Sequence, residues 1–260
     1  MNHLRPAAVS PVRAGCEPVS HVAGSSTGVL LLHGFTGSPS SMRPVTAAMI
    51  AAGLDAEVPL LPGHGTVVDD MLATGWSEWS AEVDRALDAL EQRCERIVVI
   101  GQSMGGTLAL WAALHHPTIA GLVCINPATR LRDADTMAMI DELIEDGLAI
   151  VPGEGSDIAD PDSSDLAYDG TPLAPLRSMM FDGVAAVTDR LHELTMPMRL
   201  FTSRQDHVVL PSDSDHLADS YGGVVEHIWL ERSFHVATLD HDRDIVIAGA
   251  VDFVCGSTDR

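Results

Sequence analysis

An apolar, β-branched run, Ile97-Val98-Val99-Ile100, leads straight into Gly101-Gln102-Ser103-Met104-Gly105-Gly106, and an Ala- and Leu-rich stretch from Thr107 to Leu114 follows. The run has the composition of a strand buried on both faces, and the stretch after it that of a helix packed back on a sheet. A strand that turns into a helix within so few residues leaves one side chain, Ser103, at the apex. Glycines on either side remove the Cβ atoms that would collide where strand and helix nearly touch. Such a turn holds a hydroxyl above the carboxyl edge of a sheet, at a helix N-terminus whose dipole favours developing negative charge. Ser103 is therefore the candidate nucleophile of an α/β chain.

The chain before and after this turn keeps the same alternation. Residues 28–32 read as an apolar strand ending in His33-Gly34-Phe35-Thr36-Gly37. A helix over about 40–52 follows, closed by Gly53. Residues 55–60 give a short strand and 61–66 a glycine-rich loop. Over 77–94 the apolar positions Trp79, Val83, Leu87 and Leu90 recur at three- and four-residue steps, as on an amphipathic helix. Beyond the central turn, residues 119–125 repeat the buried-strand pattern and end at Asn126-Pro127. The alternation returns with strands at 198–202 and 224–230 and helices near 212–221 and 242–254. Strands separated by helices at this spacing predict a mainly parallel central sheet flanked by helices. Between the two halves, 131–195 reads as a small helical cap over the carboxyl edge of the sheet. It has one helix over 131–151, a Gly-, Pro-, Asp- and Ser-rich stretch over 152–172, and a second helix over 175–194. The expected organisation is a lead over 1–27, a core made of 28–130 and 196–260, and the cap inserted between the core halves.

A serine hydroxyl needs a base to take its proton and a third group to hold that base in one tautomer. Two polar loops follow strands in the second half, one carrying Asp206 and the other His235, so both fall on the same sheet edge as Ser103. The order Ser, Asp, His, each at the end of a successive strand, is the order of the α/β-hydrolase architecture. His227 lies inside a strand and His207 adjoins Asp206, which leaves His235 as the base. Asp213 and Asp215 open a helix, where acidic residues are ordinary dipole partners. The adjacent His115 and His116 diverge on their helix, and His33 and His64 read as turn residues. Oxyanion donors are expected from the backbone N–H groups of Met104, just past the nucleophile, and Phe35, in a turn whose glycines allow close approach.

Composition narrows the partners. The net charge is −22, from 37 acidic and 15 basic residues, and no Lys occurs in the sequence. That excludes Schiff-base chemistry and a P-loop lysine and disfavours nucleic acid and anionic membrane. The acidity itself reads as a feature of solubility or of source-organism bias. Four widely spaced cysteines show no metal-binding spacing, so no metal or other cofactor is expected. No apolar run reaches the roughly 18 residues a membrane span needs, and the lead lacks the apolar stretch of a signal peptide. A cytoplasmic monomer or homodimer acting on a small-molecule acyl ester is the resulting expectation.

Six segments together, LLLHGFTGSPSSMRP from Leu30 to Pro44, LPGHGT from Leu61 to Thr66, GQSMGG, INP from Ile125 to Pro127, TPL from Thr171 to Leu173 and HVATLD from His235 to Asp240, make the chain resemble the bacterial carboxylesterase and monoacylglycerol lipase group of the α/β-hydrolases. The resemblance covers about 28–255. It implies the triad Ser103, Asp206 and His235, an oxyanion hole at Phe35 and Met104, and a helical cap over 131–195. Gln102 departs from the pattern, since these enzymes often have Leu before the serine. The implied activity is a serine carboxylester hydrolase that cleaves short- to medium-chain esters, monoacylglycerols among them, through a covalent acyl-enzyme. Alternatives are a thioesterase or C–C hydrolase of the same fold, or a non-catalytic ligand-binding homologue. The acyl chain is expected against Phe35, Met137, Ile140, Ile144, Met179 and Met180. Because the cap helices show no cationic cluster, the substrate is expected to be neutral.

Overall fold

The computed structural model describes residues 10–153 and 156–256. Glu154, Gly155 and the chain ends over 1–9 and 257–260 lie outside them, and with them parts of the expected lead, cap and core. Seven strands form one sheet: β1 (Val19–His21), β2 (Thr27–Leu32), β3 (Asp55–Val58), β4 (Arg96–Gln102), β5 (Ile119–Ile125), β8 (Met198–Ser203) and β9 (Val225–Leu230). Their order is β1-β3-β2-β4-β5-β8-β9, and all neighbours run parallel except β1, which pairs antiparallel with β3. The lead is thus not entirely outside the fold. Three residues after Pro18 join the sheet edge, a segment too short to show periodicity.

The sheet's two faces are visible in the strand sequences. Val29, Leu31, Val98, Ile100, Val123, Ile125 and Phe201 pack with α1 (Pro39–Ala51) and α8 (Arg243–Gly256). Their alternates Leu30, Leu32, Ile97, Val99, Leu122, Cys124 and Leu200 pack with α2 (Trp76–Glu91), α3 (Met104–His115) and α7 (Pro211–Ser220). β2, β4, β5 and β8 bury both faces, hence their near-continuous apolar runs. The register aligns the strand ends, with Leu32 opposite Gly101, Gln102 opposite Ile125, Ile125 opposite Phe201 and Ser203 opposite Leu230. The chain leaves β2 toward β3 on one side and returns to β4 on the other. That reversal opens a crevice at the carboxyl ends of β2 and β4, the place where open α/β sheets hold ligands.

The insertion is less regular than its sequence suggests. It contains α4 (Ala134–Glu145), β6 (Ile150–Pro152), β7 (Gly170–Pro172), α5 (Leu173–Ser178), a π-helical stretch (Met179–Val184), α6 (Ala185–Thr188) and a 3₁₀ turn (Leu191–Glu193). β6 and β7 pair antiparallel with Ile150 opposite Pro172. The single helix expected over 175–194 is instead a helical run over 173–188 with a π-helical middle, where Gly183 presses so closely on the Trp76 ring that a Cβ would overlap it, and it gives way to the 3₁₀ turn at Leu191–Glu193. Ser178 Oγ, at the start of the π stretch, accepts from Trp76 N–H and donates to Asp182. Docking on the N-terminus of α2 overrides the helical period here, as tertiary contacts often do at functional π turns. No helix among the described residues is long and apolar enough to cross a membrane.

Candidate active site

Ser103 sits between β4 and α3 at φ 54° and ψ −121°. A non-glycine residue in such sparsely populated backbone space is strained by about 1–3 kcal/mol, and it persists only where its surroundings over-determine it. They do so here. Ser103 N–H donates to Ile125 C=O at 2.9 Å, and its own carbonyl accepts from Gly106 and Thr107 N–H at 2.9 and 3.2 Å, so the helix starts at once. The flanking glycines are required by contact. A Cβ on Gly101 would strike the Gly105 carbonyl, one on Gly105 the Leu32 carbonyl, and one on Gly106 would lie 2.6 Å from Pro127 Cβ.

Asp206 follows β8, and its Oδ1 accepts the N–H groups of Val208 and Val209, each at 2.8 Å. Its Oδ2 lies 2.7 Å from His235 Nδ1, and both side chains are buried. A carboxylate oxygen only accepts, so Nδ1 bears the proton and Nε2 is left as the basic nitrogen. His235 and Ser103 line one cavity. The histidine's loop is held from two sides. Asn126, at φ 45° directly after β5, donates through Nδ2 to His235 C=O at 2.8 Å and to Ser203 Oγ at 3.0 Å, and accepts Ser203 N–H at 2.7 Å. From the segment between β6 and β7, Asp157 Oδ2 accepts His235 N–H at 3.1 Å. Neither Asn126 nor Asp157 stands out in the sequence as part of the site. Only the motif Ile125 to Pro127 pointed toward the first.

The rival histidines are elsewhere. His227 lies within β9 and its Nε2 meets Thr202 Oγ1. His207 is exposed and pairs with Asp157. His116 pairs with Asp84. His33 and His64 are buried turn residues with ring centroids 5.0 Å apart. His33 Nδ1 bonds the Gly34 carbonyl, Nε2 accepts Leu61 N–H, and His64 Nδ1 bonds the Pro62 carbonyl. Burial pushes the imidazoles down to about 4 and about 3, so both are neutral braces of the two glycine-rich turns.

Gly34 lies against the serine, where an added Cβ would be 3.3 Å from Ser103 Cβ and 3.8 Å from Oγ. The next residue, Phe35, turns its ring onto Trp79 and His64, and Thr36 takes φ 62°. Met104 opens α3 with its side chain buried in the core. First-turn N–H groups have no intrahelical acceptor, so that of Met104 is available. Gln102 stands in the cavity wall with its Oε1 bonded by Thr238 Oγ1 at 2.7 Å.

The cavity measures about 360 Å³. Of the residues expected against an acyl chain, Phe35, Ile140, Met179 and Met180 line it, and Leu176 joins them. Met137 and Ile144 do not. Met137 is buried in the core and Ile144 packs half-buried against it, because α4 reaches the cavity only at Thr136 and Ile140. The expected lack of cations is also corrected. Arg130 and Arg132, just ahead of α4, are in the wall with Asp157, Asp165 and Asp213. Arg132 donates to the Val208 carbonyl. Burial raises the Asp213 carboxyl above its usual range against the pull of both arginines, and burial likewise raises that of Asp165. No group of three or more His, Cys, Asp or Glu side chains suited to a metal ion occurs among the described residues.

Comparison with known proteins adds the relatives. A family model described as "Alpha/beta hydrolase family" matches residues 29–248. A thermostable monoacylglycerol lipase from Bacillus sp. (strain H-257) is 39% identical over 246 residues, 94% of this chain and 96% of its own length. A carboxylesterase from Bacillus subtilis (strain 168) is 24% identical over 233 residues, 89% and 93% of the two chains. A solved structure of a metagenome-derived lipolytic enzyme superposes with a TM-score of 0.88 at 38% identity, over 95% of this chain and 100% of that one.

Proposed function

Since the chain belongs to the alpha/beta hydrolase family and is a serine ester hydrolase, we propose that Ser103, His235 and Asp206 are its catalytic triad and that a monoacylglycerol is its substrate class. In this reading Ser103 Oγ attacks the ester carbonyl carbon while His235 Nε2 takes the hydroxyl proton, and Asp206 steadies the imidazolium through Nδ1. The oxyanion is received by the N–H groups of Phe35 and Met104, and each such donor is typically worth ~10²–10³ in rate. Collapse breaks the ester C–O bond, and the proton on His235 goes to the leaving alcohol. Water then attacks the acyl-enzyme by the same route and releases the fatty acid.

The observation that carries the reading is the 2.7 Å bond from Asp206 to His235 at the edge of the cavity that Ser103 also lines. The cap over 131–195 serves as the acyl-binding lid, with Ile140, Leu176, Met179 and Met180 facing the chain. A cavity of about 360 Å³ accommodates one acyl chain and a small alcohol better than a triacylglycerol. We take the enzyme to act in the cytoplasm as a monomer or homodimer. Labelling with a fluorophosphonate and mapping the adduct tests the nucleophile, with Ser103 the expected site. Hydrolysis of a medium-chain monoacylglycerol against emulsified triolein tests the substrate class. Faster cleavage of triolein would overturn that part.

A further inference from the structure

The residues over 157–160, between β6 and β7, are bonded to the loop that carries His235 more tightly than a lid needs to be. Asp240, with its side chain fully buried, accepts four backbone N–H groups. Two come from the cap, Ala159 at 2.8 Å and Asp160 at 3.0 Å, and two from the histidine loop, Phe234 at 2.8 Å and His241 at 2.7 Å. Asp157 completes the tie from the other direction. Its Oδ2 accepts the N–H of His235 and of His207, both at 3.1 Å, and its Oδ1 meets His207 Nδ1 at 2.8 Å. Its carbonyl accepts Val236 N–H at 3.1 Å. His207 is the residue after Asp206, and its ring stands edge-on to Phe234 at 4.5 Å. One cap carboxylate therefore holds the main chain of the base and the main chain next to the base's partner.

We propose that Asp157 is a positioning residue, which fixes His235 and Asp206 relative to each other through their backbones while Asp206 fixes the ring. The role rests on the triad reading above. Two loops that leave different strands have no ladder hydrogen bonds between them beyond the strand ends. The Asp206 to His235 distance then depends on contacts such as Asn126 from below and Asp157 from above. A misplacement of the base on the order of 1 Å costs up to ~10² in rate. Asp157 also stands in the cavity wall, but the acyl chain is received by Ile140, Leu176, Met179 and Met180, so substrate binding depends far less on the Asp157 contact.

The test compares Asp157→Ala, Asp157→Leu, Asp157→Asn and Asp160→Ala, with kcat taken per fluorophosphonate-titrated serine on p-nitrophenyl butyrate, alongside Ser103→Ala. Asp160 caps its own loop through Asp162 N–H and Ser163 Oγ and its side chain reaches neither triad loop. Its removal should leave kcat within about twofold. Asp157→Ala and Asp157→Leu should lower kcat about 10- to 100-fold, change KM less than threefold and slow fluorophosphonate labelling in proportion. Asp157→Asn, which keeps an acceptor oxygen, should recover kcat to within about threefold of wild type. Equal kcat in Asp157→Ala and wild type, a loss expressed in KM alone, or no recovery in Asp157→Asn would each overturn the positioning role. Should Asp157→Ala and Asp157→Leu fail to fold, Asp157→Asn decides, since a loss there contradicts the proposal. Activity surviving in Ser103→Ala would instead overturn the triad reading itself.

Discussion

The core and the cap of this molecule are built from similar proportions of apolar residues but are held together in different ways. In the core, β2, β4, β5 and β8 exchange a continuous parallel ladder and bury both faces. In the inserted segment over 131–195, beyond the short β6–β7 pair, single side chains do what the ladder does elsewhere. Asp133 caps α4 through Thr136 N–H, Tyr168 O–H bonds the Gly63 carbonyl and accepts Thr66 N–H, and Asp157 and Asp240 tie the segment after β6 to the histidine loop. The difference teaches where each part of the chemistry resides. In the triad proposed above, the sheet edge fixes Ser103, whereas His235 is placed by a loop that the segment after β6 helps to hold.

The largest contrast is in turnover. Ser103→Ala, His235→Ala and Asp206→Asn should each lower kcat by ~10⁴ or more, and the triple variant should be little worse than the worst single, because the three act as a unit. Ile140→Ala and Met179→Ala in the cap should cost only a few-fold in kcat/KM for a medium-chain ester. A cap variant as damaged as Ser103→Ala would break the comparison.

In stability the glycines should separate the regions. Gly105→Ala drives a Cβ into the Leu32 carbonyl, part of a strand that cannot move, and should cost ~3 kcal/mol or more in urea unfolding. Gly183→Ala meets the Trp76 ring, a side chain that can tilt, and should cost ~1–3 kcal/mol. Equal costs would show that the π stretch is as rigid as the serine turn.

Acid should act on the core first. His33 and His64 are held at about 4 and about 3, below the ordinary imidazole value of 6.5. Between those limits the unfolded chain binds more protons than the folded one, so stability falls as pH drops below ~6.5, by up to ~1.4 kcal/mol per pH unit for each histidine. His64→Phe should make that slope shallower in unfolding measured between pH 6 and 5. An unchanged slope would move the acid sensitivity to another part of the molecule.

The smallest effect concerns the wall of the cavity. Met180→Trp fills space that an acyl chain would take, so the chain length giving the highest kcat/KM should shorten by two or three carbons, each methylene being worth ~0.8 kcal/mol. Short esters should be untouched. An unshifted optimum would place the acyl chain elsewhere.

By itself the sequence determined the strands, helices and chain order of the core, along with Ser103, Asp206 and His235 as the residues to watch. Strands buried on both faces must be apolar throughout, and a serine at so tight a strand-to-helix turn must be flanked by glycine, so both leave local signatures. β1 escaped notice because three residues show no period, and the π-helical stretch inside the helix expected over 175–194 lies where Gly183 docks on Trp76, a contact no local pattern encodes. The acidic residues show the limit most plainly. Read as composition they suggest only solubility or source-organism bias, yet Asp55, Asp240 and Asp242 are buried acceptors of backbone N–H groups. Asp157 is bonded to the base of the candidate triad from 78 residues away in the chain. Hydrogen bonds between loops distant in sequence have no period or spacing, so only the tertiary structure decides which carboxylates face water and which hold the site.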